Sequence, residues 1–256
     1  MTSSGVPVEI WLVDLARSGS ALAAVETATP RLSADEHERA AALGKNGGDW
    51  RLYRIALRII LERIAGPGLR HQPLRIGPLG KPGLPEGAGI EFNLAHTRRY
   101  ALIAVSSASV GVDLEEEREV RFPQDRQEAM LAAARAIAAH SPAPRRDSEQ
   151  DILRAWTRLE AWSKARGSGI GALLQDLGIR GSRSSENSSD TDFGAVALQL
   201  LQKEAFTVRD LDLPAPLYGA LAVKAAVPDL QLRQLPDRLD ALSTLEPSAL
   251  TAKPLG

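Results

Sequence analysis

Apolar positions along the chain alternate between short stretches with strand character and longer ones with the period of a helix. Val8 to Leu15 is apolar and rich in strand formers, and the turn-forming cluster Arg17-Ser18-Gly19-Ser20 follows it, which predicts an opening strand. In Ser33-Ala34-Asp35-Glu36 a serine precedes a glutamate at the spacing where each side chain caps the other's orphan backbone N–H. A helix is expected to start there and to end at Gly44 to Gly48. The next helix is expected over Asp49 to Ala65, before Gly66-Pro67, with Trp50, Leu57, Ile60, Leu61 and Ile64 in one apolar stripe. Arg51, Arg54 and Arg58 share another face. Beyond the Pro/Gly-rich stretch Gly77 to Gly89, strands are predicted at Ile90 to Leu94, Tyr100 to Ser106 and Val110 to Glu115.

In the second half, alanine-rich Gln124 to Ala139 favours helix on propensity. After Pro142-Ala143-Pro144, Ser148 with Asp151 offers a capping arrangement, and Ile152, Ala155, Trp156 and Leu159 keep helical spacing until Gly167. Polar Gly181 to Asp192 reads as a hairpin loop between a short strand, Leu177 to Arg180, and a longer one, Phe193 to Leu201. Ala205 to Asp210 and Tyr218 to Ala225 add further strands. Helices mixed with mainly antiparallel strands define an α+β fold. The chain divides at 1–109 and 110–228, leaving 229–256 as a Pro-containing, weakly amphipathic tail.

Composition narrows the function. With 256 residues, 44% of them hydrophobic, the chain can bury a substantial core. The 31 basic and 32 acidic side chains nearly cancel, so no nucleic-acid partner is expected. Cysteine is absent, which removes disulfides, thiolate metal sites and thiol nucleophiles. The N-terminal segment lacks the pattern of a signal peptide, and no stretch approaches the roughly 18 apolar residues that span a bilayer. A cytoplasmic protein with no membrane partner is the expectation.

The candidate chemistry is acidic. Alternation along Val110-Gly111-Val112-Asp113-Leu114-Glu115 puts Val110, Val112 and Leu114 on one side and Asp113 and Glu115 on the other. Adjacent carboxylates repel unless solvated or neutralised, and a hard cation such as Mg²⁺ neutralises them while keeping sites for water and phosphate. Gly111, on the same face, leaves room for a ligand. Glu160 and Lys164 are separated by one helical turn and add an acid and a base on a single face. Read without further context, the first motif is equally an acidic strand end in water and the second a surface ion pair.

Together, Val110-Gly-Val-Asp-Leu-Glu115 and Trp156-Thr-Arg-Leu-Glu-Ala-Trp-Ser-Lys164, closed by Gly167-Ser-Gly-Ile170, resemble the two signature blocks of the Sfp-type 4′-phosphopantetheinyl transferases. Upstream, Gly80-Lys81-Pro82 and Phe92-Asn93-Leu94-Ala95-His96-Thr97 are similar to that family's coenzyme A-binding segments. The chain departs from the family pattern at Leu159, commonly lysine, and at Ala95, commonly serine.

The resemblance implies two similar α/β subdomains in a pseudo-twofold arrangement, with mainly antiparallel sheets and coenzyme A in the cleft between them. It implies Mg²⁺ held by Asp113, Glu115 and Glu160, with Glu160 taking the proton of the acceptor serine and Lys164 neutralising the departing phosphate. Arg39, Arg51, Lys81 and His96 would contact the coenzyme A phosphates, alongside Asp113 and Lys164 near the reacting group. The partner would be an apo acyl or peptidyl carrier protein. A chain already holding two similar halves has less need to dimerise, so a monomer is expected. The competing readings are a metal-dependent phosphodiesterase or nuclease, and a non-catalytic coenzyme A-binding relative.

Overall fold

A computed structural model describes residues 5–120, 122–138, 149–179, 192–226, 228–246 and 248–253. In chain order the first half comprises β1 (Val6–Asp14), α1 (Leu15–Ala28), α2 (Ala34–Ala42), α3 (Gly47–Ala65), β2 (Arg75–Ile76), β3 (Pro82–Gly83), β4 (Glu91–His96) and β5 (Tyr100–Ser106). The second comprises β6 (Val110–Glu116), α4 (Gln124–Ile137), α5 (Glu149–Arg166), α6 (Ile170–Asp176), α7 (Phe193–Glu204), β7 (Thr207–Asp210) and β8 (Leu217–Val223). The chain closes with β9 (Pro228–Gln234) and α8 (Leu239–Ser243). Two compact units result, one built on Ser109–Pro228 and the other on Pro7–Ala108 together with the chain from Asp229 onward. The fold is α+β, and the register is antiparallel for β1 on β5, β4 on β5, β6 on β8 and β7 on β8.

In the unit built on Pro7–Ala108 and the chain from Asp229 onward, the sheet order is β4-β5-β1-β9. Its core joins Trp11 and Val13 of β1, Leu57, Ile60 and Leu61 of α3, and Ile103 and Val105 of β5. The cluster Arg17 to Ser20, expected as a turn, lies within α1. Asp14 caps that helix, accepting from the Ala16 amide at 3.0 Å, and Ser18 donates its hydroxyl to the Asp14 carbonyl at 3.0 Å. Ser18 and Gly19 are buried, and a Cβ at Gly19 would meet the Leu52 side chain at 3.5 Å. Small residues here serve close packing of α1 on α3, and helical propensity yields to that contact.

The capping box that opens α2 is formed by Ser33 and Glu36. Glu36 also receives Arg54 Nε and Arg58 Nε, each at 2.9 Å, while Arg58 donates to the Leu69 and Gln72 carbonyls at 3.0 and 2.7 Å. Two arginines flanking the apolar stripe of α3 are therefore buried partners of a carboxylate. The described residues of 229–253 do not stand apart. Strand β9 adds to the sheet at its edge, Leu235 donates its amide to the Leu12 carbonyl at 2.8 Å, and Leu242 and Leu250 enter the core. An edge strand needs only partial burial on each face, which is why its apolar alternation is faint.

In the other unit, β6-β8-β7 form a three-stranded sheet on which α5 lies, with α4 and α7 packed together beside it. Met130, Ala133, Leu159, Trp162, Leu173 and Leu201 fill its core. Arg158 is clamped to Asp210 through Nε and Nη2 at 2.7 and 2.6 Å, tying α5 to β7. Trp162 is fully buried, whereas Trp156 is half-buried and stacked on Phe122 with centroids 5.7 Å apart.

The strand expected over Phe193 to Leu201 is helical. Asp192 accepts the Ala195 amide at 3.0 Å as its N-cap, and the buried positions Ala197 and Leu201 fall at helical spacing. The strand expected at Leu177 to Arg180 is also absent among the described residues. Leu177 ends α6, and Gly178, at φ 74°, turns the chain beyond it. The loop 181–191 and the capping residue Ser148 lie outside the described residues. No described helix is long and apolar enough to cross a membrane.

Asp14 is a test of this framework because it caps α1 and receives Arg99 Nε and Nη2 at 2.8 and 2.7 Å. The hydrogen bonds from Arg99 hold its carboxyl below the usual aspartate range. Its stabilising effect is therefore complete above the ordinary aspartate pKa and is lost as pH falls through the depressed one. Asp14→Ala should cost about 1–2 kcal/mol at pH 7, the cap supplying most because Arg99 is half-exposed. Urea denaturation of both proteins between neutral pH and pH ~3 should show that difference shrinking with acid.

Candidate functional site

Strand β6 carries the acid cluster. Val110, Val112 and Leu114 are buried on one face of β6, and Asp113, on the other face with Gly111, is 6% exposed because α5 covers it. The crossing point is Gly111. A Cβ there would collide with the Ala161 carbonyl, the Ala165 amide and the carbonyl carbon of Lys164, all backbone atoms of α5. The space expected to admit a ligand thus admits a helix instead. That contact brings residues of α5 onto the acidic face of β6.

Lys164 donates to Asp113 Oδ1 at 2.7 Å and lies 3.9 Å from Glu160 Oε1, one turn earlier on α5. The other oxygens, Asp113 Oδ2 and Glu160 Oε2, are buried without a hydrogen-bond partner. Burial raises the pKa of both carboxyl groups, partly offset by Lys164, and each is raised further by its acidic neighbours. Glu115, farther out on the strand, accepts Arg118 Nε and Nη2, each at 3.2 Å. One lysine therefore serves two buried carboxylates.

Two buried carboxylate oxygens lacking any donor are a fit for a hard cation, and the donor set is all oxygen, as Mg²⁺ requires. Among the described residues, however, no three His, Cys, Asp or Glu side chains are gathered closely enough to hold a metal. Asp113 and Glu160 converge on Lys164, and Glu115 turns to Arg118.

The unit built on Pro7–Ala108 and the chain from Asp229 onward carries a groove of about 560 Å³ whose lining includes Asp35, Glu36, Arg39, Trp50, Arg54 and His96. A neighbouring groove of about 850 Å³ shares Arg39, Trp50, Tyr53 and His96 and adds Lys45 and Arg98. His96 stacks on Tyr53 with centroids 5.0 Å apart, and the Tyr53 hydroxyl donates to the Arg98 carbonyl at 3.1 Å. Gly80 and Pro82 line the first groove, with Lys81 between them. Burial lowers the pKa of the Lys81 ammonium, while Glu91 opposes that shift. Arg39 and His96 are thus brought together, whereas Arg51 is not among the residues lining either groove. Trp50, Tyr53, Lys45 and Arg98 were not anticipated. Trp50 reads as core from its spacing, and Arg98 sits beside Arg99 in a short connection with no motif around it.

Residues 109–214 match the family model of the 4′-phosphopantetheinyl transferase superfamily. The matched segment contains Asp113, Glu115, Glu160 and Lys164. Over 117 residues, 44% of this chain, the sequence is 32% identical to the 4′-phosphopantetheinyl transferase AcpT of Salmonella typhimurium (strain LT2). The match spans 57% of that relative's length.

The close approach at Gly111 is open to test. Because the colliding atoms are backbone, Gly111→Ala should force α5 off the sheet at a cost of about 3 kcal/mol or more. A denaturation midpoint like that of the wild type would show that α5 does not lie so close to β6.

Proposed function

We propose that the protein transfers the 4′-phosphopantetheine arm of coenzyme A to a serine of an apo acyl or peptidyl carrier protein, releasing 3′,5′-ADP. The observation that carries this reading is the convergence of Asp113 and Glu160 on Lys164, with two buried carboxylate oxygens left without donors, inside the superfamily-matching segment. Asp113, Glu115 and Glu160 are the residues that would hold Mg²⁺. When bound, the ion would neutralise charge on the coenzyme A diphosphate.

The chain's own residues account for the remaining steps. Glu160 is buried enough to have a raised pKa, which suits it to accept the proton of the carrier serine. The serine Oγ forms a bond to the phosphorus that bears pantetheine as the bond from that phosphorus to 3′,5′-ADP breaks. Lys164 offers its ammonium to the charge on the departing phosphate. Arg39, Lys81 and His96, with Arg51, supply the cations for the nucleotide end of coenzyme A.

Incubation with coenzyme A, Mg²⁺ and a panel of apo carrier proteins should add the mass of the phosphopantetheine arm to at least one of them. EDTA should prevent the addition and excess Mg²⁺ restore it. Glu160→Gln should lower the rate by roughly 10²-fold or more without moving the denaturation midpoint appreciably. A folded sample that modifies no carrier, or a glutamine variant with wild-type turnover, would refute the proposal or the role of Glu160 respectively.

A further inference from the structure

We propose that Lys164 is the resident counter-ion of the acid cluster and competes with the divalent cation for Asp113, so that the free protein binds the cation weakly and coenzyme A loads it. The inference rests on the assignment of Asp113, Glu115 and Glu160 as cation ligands under the proposed function. Lys164 holds Asp113 Oδ1 at 2.7 Å and is 26% exposed, so water supplies only part of its solvation. The backbone of α5 is packed against Gly111 at this level, so the flexible four-carbon side chain is the part free to move.

A hard divalent ion sits about 2.0–2.1 Å from its oxygen ligands. An ion in contact with the Asp113 carboxylate would therefore lie within a few ångströms of the ammonium as it stands, and the two cations would repel. The orphaned oxygens, Asp113 Oδ2 and Glu160 Oε2, show that one lysine leaves the cluster short of positive charge. They admit a second cation on condition that further negative charge accompanies it or that Lys164 moves away. The diphosphate of coenzyme A meets both conditions, since it brings negative charge and offers the ammonium another partner. The clasp of Arg118 on Glu115 is half-exposed and yields readily.

The test is Mn²⁺ binding to the full chain, followed by electron paramagnetic resonance, for wild type, Lys164→Met and Lys164→Arg. Without coenzyme A, Lys164→Met should bind Mn²⁺ at least about tenfold more tightly than wild type, and Lys164→Arg should resemble wild type. Coenzyme A should tighten wild-type binding by at least about tenfold. Mn²⁺ should also raise the Tm of Lys164→Met more than that of wild type, a readout that holds even if the variant folds only in the presence of the ion. A purely structural lysine predicts weaker binding in Lys164→Met. If wild type binds Mn²⁺ with coenzyme A but Lys164→Met gains neither affinity nor Mn²⁺-dependent Tm, the competition is refuted and the ligand assignment stands. If none of the proteins binds Mn²⁺ with or without coenzyme A, the ligand assignment falls as well.

Discussion

The functional chemistry depends on one steric constraint, the absence of a side chain at Gly111. Strand and helix normally keep the distance that their side chains impose, and a long side chain is then needed to bridge them. Here the backbone of α5 rests where a Cβ would be, so Lys164 reaches Asp113 two residues farther along the strand. The glycine's contribution is volume, not conformational freedom. Its backbone is ordinary strand, paired in register with Ala222. Even the facing strand uses small residues, Ala220 and Ala222, beneath the helix.

That approach sets the electrostatics. Asp113 and Glu160 lose water to α5 and the sheet, and burial of like charges favours their protonated forms. Lys164 opposes this, but a single ammonium cannot satisfy the oxygens of two carboxylates. The cluster is therefore poised rather than settled: it retains affinity for positive charge without an acidic cage already closed around an ion. Structural ion pairs in the same unit look different. Arg158 and Asp210 are buried and bidentate, and Arg154 adds a further contact to the same carboxylate at 3.5 Å. In the Asp113–Glu160–Lys164 cluster the ratio is reversed, one lysine to two acids.

Where a single local device decided an element, the sequence was legible. The Ser33–Glu36 capping box, the strand Val110 to Glu115, and the helix carrying Glu160 and Lys164 all follow from short-range patterns, and each is present in the structure. Errors arose where tertiary contact outweighed local preference. Arg17 to Ser20 has turn composition, yet Ser18 and Gly19 lie in a helix because α3 packs against them. Phe193 to Leu201 has strand-like hydrophobicity, and only its helical spacing at Ala197 and Leu201, with a cap at Asp192, distinguishes the alternative. The acidic face was visible, whereas its relation to the helix was not, since nothing in a glycine's neighbours announces what will occupy its empty side. Tyr53 under His96 was equally hidden: stacking across β4 and α3 leaves no signal in either segment alone.

Both units solve one problem with buried carboxylates, and the difference in solution tracks the difference in role. Glu36 gathers Arg54 and Arg58 while its own oxygens also close the N-terminus of α2, so a single side chain fixes the wall of the groove to which Arg39 belongs. In that wall two arginines share one carboxylate, and Asp35 accompanies Arg39 in the lining. The Asp113–Glu160–Lys164 cluster has the reverse stoichiometry, two acids to one base, and so a surplus of negative charge that calls for a cation.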